Sequence, residues 1–187
     1  MIKFLLLLGV SGVGKSTLIR ELIGLDARFT YISPFITRPL REGETDKIYV
    51  SVEYLQEMVA RGEILTVNDL YGVRYATPLK PIENAFANGQ FPLLDWPIKK
   101  LAVMEEAFPC RLCRVYLEPP TISELRQRLG RDDRDAGGGR LMAAIAELEQ
   151  IWSGNMEKHF DIRVIATDGQ TRKVAETVYK YYLSAIS

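Results

Sequence analysis

The sequence predicts an α/β fold in which helices flank a parallel β-sheet. Short, continuous apolar runs alternate with longer amphipathic segments. Continuous apolar runs are typical of strands buried on both faces, and their alternation with helices is typical of a doubly wound sheet. The predicted strands are 3–10, 91–95, 113–117 and 162–166. The predicted helices are 15–24, 52–61, 81–88, 98–107, 121–129, about 140–151 and 171–186.

Size and composition are those of a compact globular protein that binds small molecules. The chain has 187 residues, of which 47% are hydrophobic and 26% charged, and its formal net charge is zero. A neutral chain argues against a dedicated surface for nucleic acid or an anionic membrane. The longest apolar run, Phe4 to Leu8, is too short to cross a bilayer. We therefore expect a cytoplasmic protein.

A glycine-rich loop joins the first predicted strand to the first predicted helix. The pattern Gly-x-x-x-x-Gly-Lys-Ser begins at Gly9 and ends at Ser16. Its glycines allow backbone N–H groups to turn onto a phosphate, and the helix start adds the positive end of its dipole. In such a loop Lys15 is expected to reach the β- and γ-phosphates, and the Ser16 hydroxyl to ligate magnesium. The fold is therefore predicted to be of the P-loop NTPase type, with a nucleoside triphosphate and Mg²⁺ as ligands. The predicted donor-binding residues are Gly9, Ser11, Gly12, Val13, Gly14, Lys15, Ser16 and Thr17.

An acidic residue ends one of the predicted core strands. Asp95 closes the run that starts at Phe91, where a carboxylate can help to order the magnesium shell. The alternative for Asp95 is a cap on the following helix. Ser16 and Asp95 are the predicted metal ligands.

The segment from 34 to 78 interrupts the strand–helix alternation and is predicted to be an inserted lobe. Arg38 and Arg41 lie three residues apart on a turn stiffened by Pro39, and Thr37 precedes them. Paired guanidiniums suit a second, small phosphorylated molecule, although surface arginines are often only solvated. At the far end of the lobe are a further cation, a phenol and a hydroxyl. These belong to Arg74, Tyr75 and Thr77.

A second interruption, from 130 to 139, is rich in Arg, Asp and Gly and predicts a mobile surface segment. Arg131, Arg134 and Arg140 lie along it. Arginines on such a lid can neutralise charge that develops on a transferring phosphoryl group. Phosphoryl transfer depends mostly on positioning and electrostatics, so no catalytic base needs to be found.

Taken in order, these motifs resemble the guanylate kinase family over nearly the whole chain. The matching stretches are the phosphate loop, 37–44, 50–55, 62–65, 71–78, 128–131, 140–141 and 160–161. The resemblance implies one domain, 1–187, with a core at 1–33, 80–122 and 149–187, an acceptor-binding lobe at 34–79 and a lid at 123–148. It implies ATP with Mg²⁺ as donor and GMP as acceptor.

The same resemblance assigns roles to individual residues. It implies that Arg38, Arg41 and Tyr75 hold the acceptor phosphate, and that Arg131 and Arg140 act on the transferred phosphoryl group. The predicted catalytic residues are Lys15, Arg38, Arg131 and Arg140. The predicted acceptor-binding residues are Thr37, Arg38, Arg41, Tyr49, Thr66, Arg74, Tyr75, Thr77 and Asp95.

The chain departs from that family where the base is recognised. Thr66 stands where the family has a glutamate that accepts from the guanine N–H groups, and Pro97 replaces a further acid. A threonine cannot replace a bidentate carboxylate. Hydroxyls of Thr37 and Thr77 offer contacts to a purine instead. The spacing after Glu44 is short, which leaves Tyr49 or Lys47 in place of a family tyrosine.

Two other readings compete with a GMP-type kinase. The ribose 1,5-bisphosphate phosphokinases resemble the chain at 36–39 and 72–75, and they also lack the guanine-reading glutamate. That branch carries an aspartate in place of Ser16 and has no counterpart of Arg41. The third reading is a catalytically idle binding module, as occurs in scaffold proteins. Intact Lys15 and Ser16 and the lid arginines weigh against it.

Overall fold

The computed structural model describes residues 1–70, 72–130, 139–154 and 156–187. By its internal contacts the chain divides into two units. The first comprises Met1, Lys3–Ala27 and Asp95–Ser187, and the second comprises Ile2 and Arg28–Leu94. Arg131 and Arg134 lie outside the described residues. The predicted division into core, lobe and lid stays a prediction.

Helices and strands alternate along most of the chain. In order they are β1 (Phe4–Leu8), α1 (Lys15–Leu25), β2 (Phe29–Tyr31), β3 (Phe35–Ile36), β4 (Ile48–Tyr49), α2 (Val52–Ala60), β5 (Ile64–Leu70), β6 (Val73–Pro78), α3 (Leu79–Ala87), β7 (Phe91–Asp95), a 3-10 turn (Ile98–Lys100), α4 (Leu101–Ala107), β8 (Leu112–Glu118), α5 (Ile122–Gly130), α6 (Gly139–Ser153), a 3-10 turn (Met156–His159), β9 (Ile162–Ile165) and α7 (Thr171–Ile186).

The first unit is built on parallel strands. β1 pairs in parallel with β8, and β8 pairs in parallel with β9. Every residue of β1 is buried, as expected for a strand covered on both faces. Helix α7 packs against α1, β8 and β9, and its Tyr182 hydroxyl donates to the Lys3 carbonyl oxygen from a buried position. The predicted parallel sheet flanked by helices is thus confirmed.

The second unit contains a parallel pair of strands and a small mixed sheet. β2 pairs in parallel with β7. The mixed sheet has four strands in the order β4-β3-β6-β5, in which β5 and β6 form an antiparallel hairpin. Val50, Leu55 and Ala76 form a core on one face of this sheet, and Phe35 and Val67 pack against it. Helix α2 begins at an N-cap, where the Ser51 hydroxyl accepts from the Tyr54 N–H.

The structure differs from the sequence prediction at two helix starts. Helix α3 begins at Leu79, so that Pro81 lies in its first turn, where a missing N–H removes no helical hydrogen bond. The predicted helix 98–107 opens with a 3-10 turn, in which the Lys100 N–H donates to the Pro97 carbonyl oxygen. In the described ranges, no helix is both long and apolar enough to span a membrane.

Candidate active site

The loop between β1 and α1 has a backbone that depends on glycine. Gly9, Gly12 and Gly14 have φ angles of 139°, 80° and 111°, which side-chain-bearing residues rarely adopt. A Cβ atom on Gly9 would lie 2.5 Å from the Leu117 carbonyl oxygen, and one on Gly12 would lie 2.6 Å from the Leu129 Cδ2. The loop therefore has both the backbone conformation and the close packing that exclude side chains.

Lys15 opens helix α1 and folds back over this loop. Its Nζ donates to the carbonyl oxygens of Gly9 and Val10, at 2.6 and 3.0 Å. Loss of hydration lowers the pKa of the Lys15 ammonium, the charges of Asp95 and Glu147 raise it, and that of Arg140 lowers it further. Both carboxylates thus lie near the ammonium. Burial in turn raises the pKa of Glu147, an effect that the charges of Lys15 and Lys99 oppose.

The remaining predicted donor residues surround the same loop. Ser16 and Thr17 are exposed at the start of α1, so that their hydroxyls are accessible, and Val13 is buried. From helix α6, Arg140 donates to the Ser11 hydroxyl oxygen through Nη2 at 2.7 Å and Nε at 3.2 Å. A guanidinium from the predicted lid therefore lies directly on the phosphate loop.

A cavity of about 310 Å³ adjoins the loop in the first unit. Its walls include Gly14, Thr17, Arg128, Thr167 and Asp168. The Arg128 guanidinium donates to the carbonyl oxygens of residues 13 and 166 and pairs with the Asp168 carboxylate at 2.7 Å. Such a cavity beside a phosphate loop can hold the base and sugar of a nucleotide whose phosphates occupy the loop. In the sequence Arg128 belongs only to a stretch that matches the family, and no local signal indicates this cavity.

In the second unit, Arg38 forms a tight ion pair with Glu44. Arg38 Nη1 and Nη2 each donate to a Glu44 carboxylate oxygen at 2.7 Å. Glu44 also accepts from the Arg41 backbone N–H at 3.1 Å, and the Lys47 Nζ lies 3.1 Å from its Oε1. The Arg38 hydrogen bonds hold the pKa of the Glu44 carboxyl well below its usual range. Glu44 and, to a smaller extent, Tyr75 raise the pKa of the Arg38 guanidinium, which places the Tyr75 side chain near it.

Arg38 has one further side-chain donor, its Nε. The Arg38 Nε is buried and has no hydrogen-bond partner among the described residues. Arg38 and Lys47 thus lie as donors around one carboxylate, and Tyr75 lies near the Arg38 guanidinium. This arrangement can orient an arginine toward an anion, because the geometry of the guanidinium is set before the anion arrives.

The hairpin register decides which predicted acceptor residues share a face. Thr66 lies opposite Thr77, and Asn68 lies opposite Tyr75, whereas Val67 lies opposite Ala76. Directly opposed residues point to the same side of a sheet, and successive residues alternate. Thr66, Tyr75 and Thr77 therefore lie together on the face opposite the small apolar core.

Other predicted acceptor residues are placed differently. Arg74, next to Tyr75 on the strand, points to the other face, although its backbone N–H donates to the Thr37 hydroxyl oxygen at 3.0 Å. The side chain of Arg41 is exposed. Tyr49 is 52% exposed, although Ile36 pairs with both Tyr49 and Tyr75 and so puts the two tyrosines on one face of the sheet. Of the two substitutes for the family tyrosine, the structure brings Lys47, and not Tyr49, to Glu44. Asp95, at the end of β7, lies by Lys15.

Fold and site together define a P-loop phosphotransferase. A parallel sheet with a lysine-bearing glycine loop is combined with a separate cluster of cationic and phenolic donors. The chain belongs to the guanylate kinase family, because the family model "Guanylate kinase" matches residues 1–179.

Individual relatives agree with this assignment. A guanylate kinase of Nostoc sp. is 30% identical over 172 residues, covering 89% of this chain and 83% of that relative. A guanylate kinase of Nitrosomonas europaea is 30% identical over 184 residues, covering 94% of this chain and 88% of that relative. The crystal structure of guanylate kinase from Anaplasma phagocytophilum superposes with a TM-score of 0.74 at 20% identity, covering 98% of this chain and 85% of that one. At that identity the superposition shows a shared fold.

Proposed function

We propose that the chain transfers the γ-phosphoryl group of ATP to GMP, giving ADP and GDP. The observation that supports this proposal is the presence of two separate clusters of donors whose chemistry suits anions. One is the phosphate loop with Lys15, and the other is the Arg38–Glu44 cluster with Lys47 and Tyr75. A hydrolase needs only the first, whereas a kinase for a phosphorylated acceptor needs both. Guanylate kinases are ATP-dependent enzymes, and the chain's membership of that family supports the choice of substrates.

The donor is assigned to the loop and the cavity beside it. Backbone N–H groups of Gly12 and Gly14 would cradle the phosphates, with the Lys15 ammonium against the β- and γ-phosphates. The ammonium now donates to loop carbonyl oxygens, which a bound polyphosphate would replace as acceptors. The cavity lined by Arg128 would take the adenosine moiety, whose flat base suits a guanidinium face.

The residues present also fit a magnesium ion. The exposed Ser16 hydroxyl and the Asp95 carboxylate are hard oxygen ligands, and Asp95 acts electrostatically on Lys15. We infer that Ser16 and Asp95 would hold Mg²⁺. The ion, when bound, supplies positive charge to the phosphate oxygens.

The acceptor phosphate is assigned to Arg38. Its buried Nε has no partner among the described residues, and Glu44 fixes the guanidinium plane from the other side. Lys47 and Tyr75 would add a second cation and a hydroxyl. The Arg41 side chain is exposed, and it keeps its predicted place at the acceptor phosphate by family resemblance.

We assign to arginines the stabilisation of the charge that develops on the transferring phosphoryl group. Arg140 lies on the phosphate loop through Ser11 and would donate to the transferring oxygens. Arg131 keeps this role by family resemblance. ATP is an intracellular substrate, so we further infer a cytoplasmic location.

The test is an ADP-release screen with ATP and Mg²⁺ over GMP, dGMP, AMP, UMP and ribose 1,5-bisphosphate. We expect saturable turnover with GMP and dGMP. The face of the β5–β6 hairpin that carries Thr66, Tyr75 and Thr77 is here called the acceptor face. The sugar phosphate is the second candidate, because Thr66 provides no carboxylate on this face. Turnover with ribose 1,5-bisphosphate alone would replace the proposed acceptor. ADP release without any acceptor requirement would show a hydrolase and refute the kinase assignment.

A further inference from the structure

The acceptor face of the β5–β6 hairpin carries two buried polar side chains. Among the described residues the buried polar side chains are Asn68 and Thr77, which are 6% and 4% exposed. Both lie on the face that Thr66 and Tyr75 also occupy, diagonally across the strand pair from each other. Buried polar side chains normally serve a hydrogen bond, so their coincidence on one face points to a common partner.

Asn68 has hydrogen-bonding capacity that the protein does not use. Its Oδ1 is buried and accepts no hydrogen bond from the residues that the structure describes. A buried acceptor without a partner destabilises a fold, which a valine or alanine at this position would avoid. The opposed residue, Tyr75, lies near the Arg38 guanidinium. Asn68 therefore lies directly across the hairpin from a side chain that is assigned to the acceptor phosphate.

We propose that Asn68 selects the acceptor by reading the base edge that presents an N–H beside a carbonyl. This inference rests on the proposed function, because it concerns the acceptor of that same reaction. A primary amide has an acceptor oxygen next to a donor nitrogen. Guanine offers the complementary pair, N1–H and O6, and so does hypoxanthine. Asn68 Oδ1 would accept from N1–H, and its Nδ2 would donate to O6.

The amide leads to a different selectivity from that of a carboxylate. A carboxylate only accepts, so it would bind guanine through N1–H and the 2-amino group and reject a base without that amino group. Thr66, Asn68, Tyr75 and Thr77 include no carboxylate. Among these four side chains, the 2-amino group then has no charged acceptor. GMP and IMP should be accepted with similar efficiency.

Initial rates with GMP and IMP at saturating ATP test this proposal. For the unaltered chain we expect values of kcat/KM that differ by less than about threefold. Asn68→Ala should lower kcat/KM for both nucleotides by about 10- to 30-fold, the factor expected for two lost neutral hydrogen bonds. Asn68→Asp should instead raise the GMP-to-IMP ratio, because the new carboxylate can accept from the 2-amino group but cannot donate to O6.

The matched control is Asp69→Ala, on the same strand but exposed and on the opposite face. It should leave both rates unchanged. The ratio of kcat/KM for GMP to that for IMP separates a role in base recognition from a role in packing. If Asn68 only packs, Asn68→Asp lowers both rates and leaves this ratio constant. A 100-fold preference of the unaltered chain for GMP, or unchanged rates in Asn68→Ala, would overturn the inference while leaving the kinase intact.

If neither nucleotide is phosphorylated, the proposed function fails on its own. In that case the role of Asn68 is tested by calorimetric measurement of the affinities for GMP and IMP. Equal affinities that Asn68→Ala weakens support Asn68, whereas affinities that the substitution does not change refute it.

Discussion

Glu44→Gln removes one charge from the cluster around Arg38 and keeps the shape of the side chain. Glu44 receives two Arg38 hydrogen bonds of 2.7 Å and one from the Arg41 N–H at 3.1 Å. The Arg38 and Glu44 side chains are only 17% and 11% exposed. Hydrogen bonds to charged groups contribute about 1.5–3 kcal/mol each, and the amide keeps part of them. We expect the free energy of unfolding at pH 7 to fall by about 2 kcal/mol.

The same substitution should change the acid dependence of stability. Arg38 lowers the pKa of Glu44 in the folded state, so this carboxylate stabilises the fold fully above its unfolded pKa of about 4.5. The stabilisation is lost as the pH falls below that value toward the folded pKa. The difference between the unaltered chain and Glu44→Gln should therefore be constant above about pH 5.5 and shrink in more acidic solution.

Urea unfolding at pH 7 and at pH 3.5 measures both effects. The matched control is Glu63→Gln, which breaks the 2.6 Å pair with Arg61 on the surface, where both side chains are more than 40% exposed (47% and 44%). Solvent screening leaves such pairs little net stabilisation, so no clear change is expected. Equal losses in Glu44→Gln and Glu63→Gln, or a difference at pH 3.5 as large as at pH 7, would refute the reasoning.

Three further substitutions test the assigned roles. Arg38→Ala should lower kcat/KM for GMP by about 100-fold and leave KM for ATP unchanged, because it removes a charged contact to the acceptor phosphate. Equal losses of kcat/KM for GMP and for ATP in steady-state assays would contradict that role. Gly9→Ala should lower the free energy of unfolding, measured with urea, by about 2 kcal/mol or more, since its Cβ would lie 2.5 Å from a backbone oxygen at a φ of 139°. Its control, Gly24→Ala, lies inside α1 with open space around it and should stabilise the fold slightly. Arg128→Ala should raise KM for ATP by about tenfold. The control, Arg126→Ala, changes an exposed neighbour and should leave KM for ATP unchanged. Identical ATP kinetics in the two variants would exclude the cavity as the adenosine site.

The core strands and the phosphate loop could be predicted because both depend on local sequence. The run from Phe4 to Leu8 is apolar on both faces, and it is followed at once by glycines and a lysine. The sequence does not predict β2, because Phe29-Thr30-Tyr31 is too short and too polar to stand out as a buried run. Helix α3 begins two residues before the predicted start, because Pro81 lies within its first turn and does not mark its boundary.

The interior of the acceptor site depends on pairings that a sequence does not display. Tyr75 and its neighbour Arg74 read as one motif, yet strand alternation points them to opposite faces. The sequence does not show that Asn68 shares a face with Tyr75, because this depends on the pairing of the two strands. That pairing follows an irregularity between residues 64 and 66. Glu44 could be predicted as part of a motif but not as the partner of Arg38, because the pairing depends on the path of the turn between them.

The central claim is that the loop bearing Lys15 donates the phosphoryl group that GMP receives. It is tested most directly by chromatographic measurement of ADP and GDP formed from ATP, Mg²⁺ and GMP. The unaltered chain and the exposed-lysine control Lys173→Ala should form the two products in equal amounts, while Lys15→Ala, folded by circular dichroism, should lose at least about 100-fold in rate. ADP formed without GDP, or appreciable GDP from Lys15→Ala, would contradict the account.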